Sequence, residues 1–233
     1  MKKIIFAAIA MFSLVAAYSQ SDNSNRETRH VPDFHGVEVS GGVDLYIGNG
    51  SQSVAVSAAN TDIRNHMVTE VVHGILRVHL ENNWNTGNSN PKMKVFVSVN
   101  GPDNLGASGG GNIFIQQELS TTSLDVNLSG GSNMEGKLTA GHLSIKQSGG
   151  SNVNLTGNVK DLSVEASGGG NLEGYDLITD FASIHASGGS NSELTVNKEL
   201  RVIASGGSDV YYKGSASVRE IKSSGGGSVT HKD

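Results

Sequence analysis

Apolar and polar residues alternate with a period of two along most of the chain after residue 30. Leu124-Asp125-Val126, Leu143-Ser144-Ile145, Leu162-Ser163-Val164, Ala182-Ser183-Ile184 and Leu200-Arg201-Val202 follow this pattern. So do Ile113-Phe114-Ile115, Val153-Asn154-Leu155, Leu194-Thr195-Val196 and Val210-Tyr211-Tyr212. Successive side chains of a strand point to opposite faces, so each segment predicts a half-buried strand. No segment of useful length carries a helical period. Short helical turns are expected only near Thr61–His66.

The two sets of strands are separated by Ser-Gly-Gly, which begins at Ser108, Ser129, Ser148, Ser167, Ser187, Ser205 and Ser224. The mean spacing is about 19 residues. Asn112, Asn133, Asn152, Asn171 and Asn191 recur at one phase of this unit, and Asp209 and Ser228 continue it. The unit is too short for a propeller blade and lacks the leucine-rich pattern. Nineteen residues at roughly 3.3 Å each make a loop of about 60 Å, one coil of a three-sided parallel β-helix. Coils would stack about 4.8 Å apart.

A sharp corner needs a residue at positive φ, which glycine adopts at little cost. Gly109, Gly130, Gly149, Gly168, Gly188, Gly206 and Gly225 are therefore expected to be structural corners. A calcium roll would need aspartates, and Asp209 is the only one at these corners. The polar residues Ser228, Thr230, His231, Lys232 and Asp233 close the last unit, which predicts a monomer, with end-to-end association as the alternative.

Residues 31–106 are less regular. Val37-Glu38-Val39, Val43 to Ile47, Val54-Ala55-Val56, Val68 to Val72, Ile75 to Leu80 and Met93 to Val99 read as strands. Gly48-Asn49-Gly50 and His73-Gly74 read as hairpin turns. Ser40-Gly41-Gly42 is a further corner, 68 residues before Ser108 and so out of step with the repeat. The expectation is an N-terminal β-region over 31–106 that caps repeat coils over 107–233.

Residues 1–19 change the picture of where the protein works. Lys2 and Lys3 precede the apolar run Ile4–Val15, and Ala17-Tyr18-Ser19 supplies small residues for cleavage before Gln20. This is a signal peptide, followed by a linker over 20–30 expected to be disordered. The expected location is beyond the inner membrane: periplasm, outer surface or extracellular. The mature chain has no other segment apolar enough to span a bilayer as a helix.

Composition narrows the chemistry. There are 31 glycines but only 3 prolines, which suits many tight corners and excludes collagen. Hydrophobic residues are 36 % of the chain, a lean supply that suits a narrow, repeated interior. The absence of cysteine removes disulfides, thiolate metal sites and a lipid-bearing cysteine. Without residues 1–19 the chain carries 15 basic and 22 acidic residues, a net charge of −7 that disfavours nucleic acid as a partner.

Candidate chemistry is sparse. None of the eight histidines has tight ligand spacing, although His73 and His79 lie in neighbouring strand segments. No metal or cofactor is expected. A carbohydrate-active β-helix needs carboxylate pairs held at acid–base geometry. The charged residues, Glu165 and Arg201 among them, read as solvated faces. Trp84 lies in the polar loop Glu81–Pro91 and is the candidate ligand-binding residue, an aromatic able to stack on a sugar ring.

Phe34 to Val39, Val43 to Gly50, Gly74 to Val78, Val95 to Val99 and Leu105 to Ile113, followed by the Ser-Gly-Gly units, together resemble a known family. It is the family of Bacteroidetes envelope proteins described as "putative auto-transporter adhesin, head GIN domain", and the resemblance covers about residues 30–230. It implies a right-handed β-helix, an exported location and an adhesin role, and it offers no catalytic residues. An auto-transporter needs a C-terminal membrane barrel, whereas this sequence stops at Asp233 just after a corner, so self-translocation is not expected. The resulting expectation is a non-catalytic exported module that binds a glycan or a cell-surface protein. The alternatives are a carbohydrate-active enzyme and a purely structural envelope component.

Overall fold

Repeated strand–corner–strand units can bury their apolar rows only by stacking on one another, and the computed structural model has this arrangement. It describes residues 26–81 and 91–233. In chain order the strands are β1 (Arg26–Arg29), β2 (Gly36–Ser40), β3 (Val43–Gly48) and β4 (Ser53–Ala58). Helix α1 (Thr61–Asn65) precedes β5 (Met67–Val72), β6 (Ile75–Leu80), β7 (Met93–Ser98), β8 (Asn104–Ser108) and β9 (Asn112–Ile115). The long strands β10 (Leu119–Leu128), β11 (Asn133–Gln147), β12 (Asn152–Ala166), β13 (Asn171–Ala186) and β14 (Asn191–Ala204) follow. The chain closes with β15 (Asp209–Lys213), β16 (Ser217–Ser223) and β17 (Ser228–His231).

From β10 onward each coil pairs in parallel with the next. The register puts Leu124, Leu143, Leu162, Ala182 and Leu200 in one inward row, and Val126, Ile145, Val164, Ile184 and Val202 in another. All ten side chains are buried. Burying a Leu, Ile or Val side chain in these rows contributes roughly 1.5–3 kcal/mol. The fold is thus the expected all-β solenoid with coils of about 19 residues.

Each coil turns three times. One turn is the Ser-Gly-Gly corner. A second falls at glycines such as Gly136 and Gly157, where φ is +144° and +117°. At the third, the in–out alternation slips and two consecutive residues face outward, as at Lys160-Asp161.

The corner is itself part of the hydrogen-bonded ladder. The N–H groups of Gly169, Gly189, Gly207 and Gly226 donate to carbonyls of the coil below at 2.6–2.8 Å. The fourth corner residue closes the bend. Ser132, Ser151, Ser190 and Ser208 are fully buried, and their hydroxyls donate to the carbonyl of the first corner serine at 2.7–3.2 Å. Each buried hydroxyl is thereby satisfied.

The N-terminal region departs from expectation in three ways. First, Ser40-Gly41-Gly42 is not out of step. β2 pairs in parallel with β8 so that Ser40 faces Ser108, and β3 pairs with β9. The intervening chain folds out and returns, and on the way β6 and β7 stack on the other side of β2 and β3. Stacking order therefore differs from chain order. Second, Gly48-Asn49-Gly50 does not close a two-strand hairpin, because β7 lies between β3 and β4. His73-Gly74 does close one, between β5 and β6, with φ of +52° and +79°.

Third, the linker expected to be disordered is ordered in its last part. Arg26–Arg29 form β1, antiparallel to β4. Arg26 lies 3.6 Å over the Phe96 ring, and Glu27 pairs with Arg29 at 3.3 Å and Arg64 at 3.0 Å. Helix α1, capped by the Asn60 side chain on the Ile63 N–H at 2.8 Å, buries Ile63 at this end. The predicted signal peptide and residues 20–25 lie outside the described residues.

Gly168 has φ +88°, and a Cβ on it would come within 2.5 Å of the Gly149 carbonyl oxygen, whereas Gly169 has open space. Gly168→Ala should cost about 1–3 kcal/mol, and Gly169→Ala under about 1 kcal/mol. Urea unfolding of the two variants checks this; equal losses would refute it.

Candidate functional site

The strand that enters each corner presents its outward side chains as columns. Arg77, Glu38, Gly106, Asn127, Lys146, Glu165 and His185 stand one above another on seven successive coils, β6, β2, β8 and β10–β13. Beside them runs the column of corner serines, Ser40, Ser108, Ser129, Ser148, Ser167 and Ser187. A groove of about 720 Å³ follows these columns. At about 4.8 Å per step it is roughly 29 Å long.

The groove exists because the repeat is broken there. Gly106 contributes no side chain between Glu38 and Asn127, and Glu38 leans across it: a Cβ on Gly106 would sit 3.0 Å from Glu38 Cγ. Small or aliphatic residues, Val39, Ala107, Leu128 and Ala166, also line the groove. Gln147 replaces an aliphatic residue at the same phase. It is only 3 % exposed, donates to the Ser151 and Asn171 carbonyls at 3.2 and 3.1 Å, and keeps Oε1 buried without a protein partner.

Arg77 pairs with Glu38 at 3.2 Å and Lys146 with Glu165 at 3.9 Å. Exposed pairs of this kind are worth at most about 1 kcal/mol, so a ligand can redirect them at little cost. Glu38 and Glu165 are four coils apart, about 19 Å. Glycoside hydrolysis needs its two carboxyls roughly 5–9.5 Å apart.

The neighbouring face carries two ladders. Asn112 donates to Asp44 at 2.7 Å, and Asn133, Asn152, Asn171 and Asn191 each donate to the asparagine below at 2.7–3.3 Å. Ser228 donates to Asp209 at the far end. The rings of Phe96, Tyr46 and Phe114 stack at 5.1 and 4.9 Å. Tyr46 is sandwiched, and Arg26 covers Phe96. The ring faces that would meet a sugar are thus largely occupied, and the stack serves as packing.

On that face Glu173 and Glu193 occupy adjacent coils, with Asn154, Tyr175 and Asp176 around a hollow of about 440 Å³. Asn154 donates to Glu173 at 3.0 Å. Lys213 lies 4.9 Å from the Tyr175 ring centre. Burial, then the Glu193 charge, pushes the Tyr175 phenol above its ordinary range.

The residues singled out in the sequence fall as follows. Gly109, Gly130, Gly149, Gly168, Gly188, Gly206 and Gly225 stand in one column at corners, with φ between +59° and +88°. Trp84 lies outside the described residues; its flanking strands β6 and β7 are those that a corner joins in other coils. His73 sits in the hairpin turn, while His79 contacts the Leu80 carbonyl at 2.8 Å and Glu70 at 3.8 Å. Glu165 and Arg201 are not brought together: Glu165 aligns with His185 and Arg201 with Ser183, in separate columns. Among the described residues no cluster of His, Cys, Asp or Glu is arranged to hold a metal ion. Sequence reasoning missed the groove. Its signal was present as Gly106 and Gln147, two positions in this wall that depart from their neighbours on adjacent coils.

These features define a class: a β-solenoid with a groove along one flank, charged and polar at its rim and aliphatic at its floor, and, among the described residues, no helix long and apolar enough to cross a membrane. Residues 33–216 match the family described as "Putative auto-transporter adhesin, head GIN domain". The chain belongs to that family. The fold is also that of several crystal structures. A putative adhesin from Bacteroides fragilis is 19 % identical with TM-score 0.82, covering 89 % of this chain and 96 % of its own. A putative lipid binding protein from Parabacteroides distasonis is 19 % identical with TM-score 0.69, covering 91 % and 98 %. A putative adhesin from Parabacteroides merdae is 17 % identical with TM-score 0.70, covering 91 % and 98 %. No curated protein matches the sequence.

Asn152 makes two ladder bonds, and both partners remain when it is removed. Asn152→Ala should cost about 1 kcal/mol, since a net hydrogen bond contributes roughly 0.5–1.5 kcal/mol and this one is exposed. A urea midpoint unchanged from the parent chain would show that the ladder adds nothing.

Proposed function

We propose that this protein is an exported, non-catalytic binding module that holds an extended polar polymer, an oligosaccharide in particular, along the groove beside the corner serines. The observation that carries the proposal is the groove itself: seven coils offer side-chain donors and acceptors at a regular rise. A linear glycan presents hydroxyls at a comparable regular rise. The mixture of Arg77, Glu38, Asn127, Lys146, Glu165 and His185 suits a neutral or zwitterionic chain better than a polyanion.

Other ligand classes fit less well. Protein interfaces draw their energy from aromatic and arginine anchors in pockets, and among the described residues no Phe, Tyr or Trp lines this groove. An acyl chain would need an apolar cavity, while the solenoid interior is filled by stacked side chains. The net charge of the mature chain works against nucleic acid. Export rests on residues 1–19, and the adhesin role accords with the family.

A second reading has one observation in its favour. Glu173 and Glu193 on adjacent coils are the kind of carboxylate pair that a glycosidase uses. Release of reducing ends from an oligosaccharide panel, lost on Glu193→Gln, would establish the enzyme. No release would leave the binding module.

Gly106 is not at positive φ, and only the flexible Glu38 side chain and one carbonyl lie near it. Gly106→Tyr should therefore fill the groove and leave the fold intact. On an array of neutral and acidic oligosaccharides the chain lacking residues 1–19 should bind, and Gly106→Tyr should lose at least about tenfold in affinity, some 1.4 kcal/mol. Equal binding by the two proteins, with matching circular dichroism, would remove the groove from the function.

A further inference from the structure

The two ends of the solenoid are finished differently. At the N-terminal end β5 pairs antiparallel with the outer edge of β6, and β4 with that of β7, while charged β1 covers β4. At the C-terminal end, among the described residues, β16 pairs only with β14, and β17 only with β15. Their outer edges carry unpaired backbone groups, which template further pairing.

The inward rows of the core also end there without a cover. Leu200 and Val202 are fully buried, but their partners in the last coil, Val218 and Ile221, are 41 % and 44 % exposed. The polar residues after Ser224 had suggested a finished end. They lie on β17 and beyond, and β16 presents apolar side chains instead.

β16 has a pattern that fits its own copy. Arg219 is an extra residue in the pairing with β14, because Leu200 faces Val218 and Arg201 faces Glu220. The bulge turns both Arg219 and Glu220 outward. The in–out order from Ser217 to Lys222 is then a palindrome centred between Arg219 and Glu220: Val218 and Ile221 point in, and the charged pair points out. Two copies related by a two-fold axis through that centre, with β16 antiparallel to β16, would set Val218 against Ile221 and Arg219 against Glu220 on both sides of the axis. Apolar meets apolar and charge meets opposite charge in one register. Arg219 now reaches Glu199 at 3.0 Å and Glu220 reaches Lys222 at 2.5 Å, exposed contacts that are exchanged cheaply.

We infer that the C-terminal end of this solenoid docks a second copy of the chain, β16 against β16, to give a closed dimer. The two-fold uses the same surface on both copies, so the β16 edge is closed by the contact and cannot extend a filament. The dimer would be a rod with both grooves on its flanks.

The test is light scattering across a concentration series on the chain lacking residues 1–19. The expected mass is that of two chains. Glu220→Arg should halve it, and the swap Arg219→Glu with Glu220→Arg should restore it. Ile221→Lys should also halve it. A variant that fails to fold is replaced by Val218→Cys with Ile221→Cys in this cysteine-free chain, which should cross-link into a covalent dimer on oxidation. A single-chain mass at every concentration would overturn the inference. So would a dimer that survives both Glu220→Arg and Ile221→Lys, since its contact would lie elsewhere. A double-cysteine chain that remains a monomer after oxidation would also overturn it.

Discussion

Everything in this protein depends on parallel coils repeating at a strand spacing of about 4.8 Å without losing register at the corners. A strand ladder tolerates many side chains, but a corner that closes on the corner below does not. The carbonyl of one corner lies within 2.8 Å of where a Cβ on Gly188 or Gly206 would stand. Positive φ alone favours glycine; the coil beneath removes the remaining choices. The glycines thus set the rise, and the rise sets the apolar rows, the asparagine ladder and the groove.

Exact stacking also decides what the surface can be. A repeated position becomes a column, and a column of one residue type is uniform along the axis. Features that select a ligand arise where the repeat is broken. Gly106 opens the groove, Gln147 puts an amide where other coils carry aliphatic side chains, and alternating charges from Arg77 to His185 give the wall a sequence of its own. The ends are the other breaks. One is closed by antiparallel strands and a short helix, and the other leaves Val218 and Ile221 uncovered.

Much of the architecture was legible along the chain. The period of two located nearly every strand, and the Ser-Gly-Gly spacing set the coil length, because both follow from local backbone geometry. The 68-residue gap before Ser108 misled for a physical reason. Pairing registers depend on which strand lies adjacent in space, and a long excursion between Gly48 and Asn104 leaves no trace in the spacing. The same excursion hid β7 between β3 and β4, so a turn with hairpin residues joined strands that do not pair. β1 was read as linker because Arg-Glu-Thr-Arg has no apolar alternation; its order comes from an antiparallel edge and from ion pairs with distant residues.

The sequence by itself determined the class of fold, since corner glycines and alternating apolar residues at a period of about 19 have one economical way to bury a lean core. Only the tertiary structure decided which coil lies on which, and therefore which outward residues share a column. Glu38 and Asn127 are 89 positions apart in the chain, yet they flank Gly106 across two ladder steps. A groove is a property of neighbours in space, and stacking order, not chain order, makes those neighbours.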